Sequence, residues 1–250
     1  MANIVIIGNG VAGITAARNI RKRSEHRITV ISSESDHFFS RPALMYVFMG
    51  HMEYAHTKPY EDWFWKENRI DLLRDHATHI DTATKTIALA SGNTCRYDSV
   101  VLATGARSNM PGWPGQTLEG VQGFTDLNDL QLLEHNVRGV RRAVIVGGGL
   151  IGVEVAEMLR SRGIETTMLV REDSYWNNVL PPEESAIVRE HLARHNVDVH
   201  YTTQLKEILS DEQGRARSIL TDRNESVDCQ LVVLTAGVRP RVDLAEASGI

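Results

Sequence analysis

The chain has 250 residues, a formal net charge of −5 and only two cysteines. That length suits two modest domains or one large one, and the acidic balance argues against a dedicated nucleic-acid binder. No apolar run reaches the roughly 20 residues needed to span a bilayer, so no membrane span is expected; a first strand starting at Asn3 or Ile4 leaves no room for a signal peptide, which makes the cytoplasm the default location.

Ile4-Val5-Ile6-Ile7 is a continuous apolar run, followed by Gly8-Asn9-Gly10-Val11-Ala12-Gly13 with Ala16 and Ala17 beyond. The pattern predicts a buried parallel strand, a tight turn and a helix start. Gly8 permits the sharp turn, Gly10 lets backbone approach a pyrophosphate, and Gly13 lets the helix sit close to the strand. The helix N-terminus presents free N–H groups and a partial positive charge to the anion. The helix runs to about Arg23, and Arg18, Arg21, Lys22, Arg23 and Arg27 gather at its C-terminal end, where solvated cations complement the macrodipole. Residues 28–31 form a second strand. Glu34 then lies about 20 residues past Gly13, where a dinucleotide site wants an acid for the ribose hydroxyls. Arg41, before Pro42 at a helix start, is placed to face a phosphate. Residues 43–52 read as a helix with Met45, Met49 and Met52 on one packing face. Pro59 reads as the opening of a short helix that carries Trp63, Phe64 and Trp65. Acidic neighbours Glu61, Asp62 and Glu67 favour core packing of these rings over base stacking. Short strands follow around residues 78–80 and 86–89, and a buried strand over 99–103 closes on Thr104-Gly105.

Pro111-Gly112-Trp113-Pro114-Gly115 reads as a linker. Beyond a helix over 127–137 the opening pattern returns: Ala143-Val144-Ile145-Val146 precedes Gly147-Gly148-Gly149-Leu150-Ile151-Gly152. A helix over 150–160, a strand over 166–170, a helix over 183–194, short strands near 198–201, 206–209 and 217–221, and a buried strand over 231–234 ending at Thr235-Ala236-Gly237 complete the repeat. The expected fold is therefore α/β, with two Rossmann-like, three-layer dinucleotide-binding domains, each a parallel sheet with a small β-meander. Expected boundaries are 1–112, 113–240 and a short segment, 241–250, returning to the first domain. His191 and His195 share a helix face without a third ligand, so no metal is expected. Cys95 and Cys229 are far apart and read as free structural thiols.

The paired glycine turns, the strand end Val101-Leu102-Ala103-Thr104-Gly105 and the strand end Leu234-Thr235-Ala236-Gly237-Val238-Arg239-Pro240 resemble the pyridine nucleotide–disulfide oxidoreductase superfamily. Ser40-Arg41-Pro42 and Tyr97-Asp98 resemble its branch of rubredoxin reductases, nitrite reductase flavin modules and oxygenase-type ferredoxin reductases. The resemblance implies FAD in the first domain and NADPH or NADH in the second. It assigns Gly8, Gly10, Val11, Ala12 and Gly13 to the FAD pyrophosphate and Glu34 to its ribose. Arg41 and Pro42 would lie along the cofactor, Ala77 at the adenine, and Ala103, Thr104 and Gly105 at the closing edge. Gly147, Gly149, Leu150, Ile151 and Gly152 would hold the nicotinamide dinucleotide, with Gly237 at the strand end. Glu154 is the acid the resemblance places near the nicotinamide and is the candidate catalytic residue.

Two departures bear on the chemistry. The segment Phe39-Ser40-Arg41-Pro42-Ala43 holds no sulfur, which argues against thiol chemistry, and Tyr46 stands where oxygenase-type relatives carry a lysine paired with the acid. Aligning strand ends puts Val170 at the ribose-acid position with Arg171 next, which leans to NADPH; counting from Gly152 puts Asp173 there, which leans to NADH. The family's later Gly-Asp return and interface domain are not found before Ile250. The expectation is thus an NAD(P)H:acceptor flavoprotein or the N-terminal part of one, holding FAD weakly on its own. By resemblance its partner is an electron carrier of the rubredoxin or ferredoxin type, and homo-oligomerisation stays open. The rival expectation is a truncated or partner-completed nucleotide-binding module without turnover.

Overall fold

Side-chain alternation along the first strand sets the layering. In the computed structural model, which describes all of residues 1–250, the chain runs through β1 (Asn3–Ile7), α1 (Val11–Arg23) and β2 (Arg27–Ser32). Ile4 and Ile6 pack with Ile14 and Ala17 of α1, whereas Val5 and Ile7 point to the opposite face. A 3-10 turn (Arg41–Ala43), α2 (Leu44–Phe48), a second 3-10 turn (Tyr54–Thr57) and α3 (Asp62–Glu67) lead to β3 (Ile70–Arg74). Then come β4 (Ala77–Asp81), β5 (Thr86–Leu89), β6 (Thr94–Arg96) and β7 (Ser99–Leu102). β3-β2-β1-β7 is an all-parallel sheet. The antiparallel β4-β5-β6 meander covers its Val5/Ile7 face with Ala77, Ile80, Ile87, Leu89 and Tyr97.

The second half repeats this plan. It comprises β8 (Ala106–Ser108), β9 (Val121–Gln122), α4 (Leu127–Asn136), β10 (Arg142–Val146), α5 (Leu150–Ser161), β11 (Glu165–Leu169) and α6 (Pro182–Arg194). These are followed by β12 (Val197–His200), β13 (Leu205–Ser210), β14 (Ala216–Thr221), β15 (Ser226–Asp228), β16 (Leu231–Leu234), β17 (Val238–Pro240) and finally α7 (Asp243–Ala247). β12-β11-β10-β16-β9 is parallel throughout, and the antiparallel β13-β14-β15 meander packs on Val144, Val146, Leu169, Val232 and Leu234. The expected α/β architecture, a parallel sheet plus meander occurring twice, is the architecture found. By contacts the chain forms two units: Met1–Leu44, Glu53–Ala106 and Pro240–Ile250 in one, Met45–Met52 and Arg107–Arg239 in the other.

Several local readings change. The helix expected over 43–52 stops at Phe48, and Gly50 turns the chain with φ +77. Phe48 is fully buried under the Arg162 guanidinium, 4.4 Å above its ring, and Arg162 Nε donates to the Phe48 carbonyl at 3.0 Å. Met45 is buried and Met49 and Met52 are half-buried. α3 starts at Asp62 with Glu61 as its N-cap, so Pro59 precedes the helix rather than opening it. Trp65 enters the core and Phe64 stacks on Tyr60 at 4.4 Å, but Trp63 is 59% exposed, so core packing describes only part of that aromatic run. β3 and β9, both edge strands, escaped the pattern: Ile-Asp-Leu-Leu-Arg lacks the β-branched run of its neighbours, and β9 is two residues long.

Arg21 is not a solvated helix end. Its guanidinium donates to four carbonyls, those of Asn68 (2.7 Å), Ser24 (3.1 Å), His26 (2.6 Å) and Arg69 (2.9 Å), tying the end of α1 to the chain entering β2 and β3. Charge-assisted bonds of this kind contribute more than neutral ones, and deleting the donor leaves several acceptors half-buried. Arg21→Ala is therefore expected to lower unfolding stability by about 2 kcal/mol in urea titrations, while Lys22→Ala, on an exposed site, changes it by less than about 0.5 kcal/mol.

Candidate functional site

The first turn is built by close approach. Gly8 has φ +113, its N–H donates to the Ile31 carbonyl at 2.8 Å, and Ala103 N–H donates to the Ile7 carbonyl at 2.8 Å. A Cβ on Gly8 would lie 2.0 Å from the Ala103 carbonyl oxygen, and one on Gly13 would lie 1.9 Å from the Gly8 carbonyl oxygen. Nothing lies within 4 Å of a Cβ placed on Gly10. The turn is thus packed tight beneath and open above its middle residue. Gly10 caps α1 without a side-chain hydrogen bond, the first helical turn carries no acid, and Val11 is 71% exposed. Free N–H groups, no acid in the first helical turn and open space are the features an anion site needs.

Around this cradle the other expected residues divide. The Glu34 and Arg41 side chains form a two-pronged ion pair, Nη1 to Oε1 at 2.9 Å and Nη2 to Oε2 at 2.8 Å, with the guanidinium 5.3 Å from the Phe39 ring centroid. Pro42 follows in the 3-10 turn. Ala77 is buried at the start of β4, opposite Leu89. Thr104 donates its hydroxyl to the Arg241 carbonyl at 2.7 Å, and Gly105, at φ +73, accepts from the Arg241 N–H at 3.0 Å. Asn9 was not singled out by pattern. It is 6% exposed and donates to the Ser35 carbonyl (2.9 Å) and hydroxyl (3.0 Å), holding the Glu34 loop against the glycine turn. An amide between two turn glycines, where no strand or helix claims it, was the available signal.

The second turn repeats the construction. Gly147 has φ +132 and donates to the Leu169 carbonyl at 3.0 Å, while Thr235 N–H donates to the Val146 carbonyl at 2.9 Å. A Cβ on Gly147 would meet the Thr235 carbonyl oxygen at 2.5 Å, one on Gly152 the Gly147 carbonyl oxygen at 2.4 Å, and one on Gly149 nothing within 4 Å. α5 also begins without a side-chain cap or an acid in its first turn. Leu150 is 53% exposed and Ile151 half-buried. Thr235, unassigned by pattern, donates its hydroxyl to the Val146 (3.2 Å) and Gly147 (3.3 Å) carbonyls. Gly237, at φ +85, accepts from Asn109 N–H at 3.0 Å.

Glu154 lies one turn into α5, past the uncapped amides, and burial together with the Glu157 charge pushes its carboxyl above the usual range. Tyr175 is buried and donates its hydroxyl to the Gly149 carbonyl at 2.9 Å. Val170 is fully buried against Gly148, where a Cβ would come within 2.6 Å of its Cγ1. Arg171 projects, its side chain 73% exposed, with Nη2 on Glu172 Oε1 at 2.7 Å. Asp173 is also exposed and takes the Asn177 amide at 3.1 Å.

Other reactive groups sit in quieter surroundings. Burial pushes the Cys229 thiol up to about 12 and raises that of Cys95, so neither is a ready thiolate. The rings of His191 and His195 lie 4.2 Å apart, tilted by 37°, and one nitrogen of His195 lies 2.8 Å from the His191 carbonyl. A cavity of about 430 Å³ bordered by Arg142, Glu165, Asp198, His200 and Asp228 lies off the glycine turn; there Arg142 pairs with Asp228, and His200 Nε2 lies 2.8 Å from Asp198 Oδ2. No helix is long and apolar enough to cross a membrane.

Fold and turns together define a protein with two units of one plan, each a parallel sheet with a glycine turn onto a helix. Residues 2–250 match the family model described as pyridine nucleotide-disulphide oxidoreductase, and the chain belongs to that family. It is 33% identical over 253 residues to the ferredoxin–NAD(+) reductase subunit of the Pseudomonas putida benzene 1,2-dioxygenase system, covering 100% of this chain and 61% of that protein. It is 28% identical to rhodocoxin reductase of Rhodococcus erythropolis, with 99% and 58% covered. Among solved structures, a ferredoxin reductase from Rhodopseudomonas palustris superimposes with a TM-score of 0.91 at 27% identity, covering 100% of this chain and 62% of that one. The chain therefore spans less than two thirds of the length of these relatives.

Two outcomes follow from this geometry. Gly10→Ala, with room for its methyl, keeps the ligand-free melting temperature within about 2 °C but weakens binding of FAD in fluorescence titrations; Gly13→Ala, driven into the Gly8 carbonyl, lowers the melting temperature by several degrees, about 2 kcal/mol or more. Folded Glu154 holds its proton more tightly than the unfolded chain, so stability is greatest below the ordinary value of 4.5 and declines as rising pH ionises the buried carboxyl. Glu154→Gln is expected to raise the melting temperature near pH 8 and to leave it unchanged near pH 4.

Proposed function

We propose that the chain is the cofactor-binding part of an FAD-dependent NAD(P)H oxidoreductase, with FAD on the first glycine turn and the nicotinamide dinucleotide on the second. The observation that carries this reading is the double cradle: two uncapped helix N-termini, each free of acids in its first turn and each open above the middle glycine. Glu34 would take the FAD ribose. When bound together, the two cofactors supply hydride transfer from nicotinamide to flavin. The protein binds and orients them, and Glu154 would stand beside the nicotinamide as a carboxyl that burial makes harder to ionise than usual. No nucleophile is required, in keeping with two thiols, Cys229 buried and Cys95 partly so, that ionise less readily than usual. Similarity to ferredoxin and rhodocoxin reductases supports an electron-carrier protein as acceptor.

NADPH is the proposed donor. Val170, at the strand-end position for a ribose-binding acid, is apolar and buried, and Arg171 beside it projects a guanidinium. Its link to Glu172 is an exposed pair worth at most about 1 kcal/mol, too little to keep the guanidinium from a phosphate dianion.

The decisive experiment records the visible spectrum of the purified chain with added FAD, then adds NADPH or NADH without oxygen. Bleaching of a flavin band is the expected result; absence of any band would favour a nucleotide-binding module without turnover. Arg171→Ala is expected to weaken NADPH binding about ten- to hundredfold, the value of a charge-assisted bond, and NADH binding less than about threefold, by titration calorimetry.

A further inference from the structure

The loop after β11 is pinned along its length. At its start, Val170 N–H donates to the His200 carbonyl at 2.9 Å and the Val170 carbonyl accepts from Thr203 N–H at 3.1 Å. In its middle, the Glu172 carbonyl accepts from Thr202 N–H at 2.8 Å. Arg171 lies between these two ties, so its backbone is held from both sides. At the far end stands Tyr175, whose ring is 3% exposed and whose hydroxyl reaches back to the Gly149 carbonyl at 2.9 Å. Gly149 is the N-cap of α5, the point around which the pyrophosphate cradle is built. The Tyr175 carbonyl accepts the Ser185 hydroxyl at 2.7 Å, and Ser185 is 2% exposed near the start of α6.

The residue after Tyr175 supports a demanding geometry. Trp176 has φ +47, a left-handed conformation that is strained for a bulky aromatic side chain, and its carbonyl accepts from Val179 and Leu180 N–H, both at 2.9 Å. The strained turn reverses the chain directly behind Tyr175. Burial, with the nearby Glu154 charge, pushes the Tyr175 hydroxyl up to about 12, so it remains a donor at ordinary pH.

We infer that Tyr175 is a positioning residue for the nicotinamide dinucleotide: its hydroxyl ties the glycine turn to the Arg171 loop and so sets the spacing between the pyrophosphate cradle and the guanidinium that reads a 2′-phosphate. This rests on the NADPH reading above and deepens it. The hydroxyl acts on the donor through Arg171, because Tyr175 itself is enclosed. A tie of this kind matters most to a ligand that must touch both ends of the spacing. NADPH does so, with its pyrophosphate on α5 and its 2′-phosphate on Arg171, whereas NADH needs only the first.

The test is a double-mutant cycle on the full chain, with NADPH and NADH dissociation constants measured by titration calorimetry. Tyr175→Phe is expected to weaken NADPH about fivefold, the loss of one neutral hydrogen bond, and NADH about twofold or less. In an Arg171→Ala background the same change is expected to leave the NADPH to NADH ratio unaltered. Ser185→Ala, which removes the anchor on the Tyr175 carbonyl, is expected to shift the ratio in the same direction as Tyr175→Phe and covers the case of a phenylalanine variant that folds poorly. An unchanged ratio in both single variants overturns the inference, as does an equal shift with and without Arg171. If the unaltered chain binds neither dinucleotide, the nicotinamide reading itself falls; if it binds NADPH and the cycle is additive, only the role of Tyr175 does.

Discussion

Everything at the two candidate cradles depends on one close approach of backbone to backbone. In each unit the first glycine of the turn lies so near the strand that closes the sheet that a side chain has no place: Gly8 against the Ala103 carbonyl, Gly147 against that of Thr235. The third residue beyond the middle glycine repeats the constraint, because Gly13 and Gly152 bring the helix down onto the carbonyl of the first glycine. With the turn compressed from below, its uncapped N–H groups can only face outward. The helix dipole, the free amides and the opening above the middle glycine are thus consequences of one packing condition. A methyl group in the wrong place would remove all three.

The two cradles share that frame and differ in what lies next to it. The carbonyls of Ile31 and Leu169 accept the same bond from the first glycine, so Ser32 and Val170 occupy matching positions. Ser32 is polar, its hydroxyl accepts from Glu34 N–H at 3.2 Å, and Asn9 draws Ser35 onto the turn. A carboxylate is thereby organised beside the first cradle. Val170 is apolar and presses on Gly148, so the second cradle has no acid at that point and the chain moves on at once to Arg171. The closing threonines diverge as well. Thr235 turns its hydroxyl inward to the Val146 and Gly147 carbonyls, whereas Thr104 gives its hydroxyl to Arg241 on the returning chain. One scaffold therefore carries two polar environments, set by a few residues at the strand ends.

The repeated pattern of apolar run and spaced glycines was readable because it follows from local geometry: a buried parallel strand needs continuous apolar residues, and a tight turn onto a helix needs glycine at fixed offsets. That alone determined the α/β class and the doubling of the unit and singled out the candidate cradle residues, and the lack of sulfur after Phe39 pointed away from thiol chemistry. Edge strands such as β3 and β9 were hidden, since their pairing is earned by neighbours rather than by their own composition. Only the tertiary structure decided which side chains meet across long sequence separations. Arg21 became a four-carbonyl clasp, Arg162 a cover for Phe48, and Asn9 and Tyr175 ties from each glycine turn to the loop beside it. Such contacts depend on where distant strands and loops come to rest, and periodicity along the chain carries no record of that.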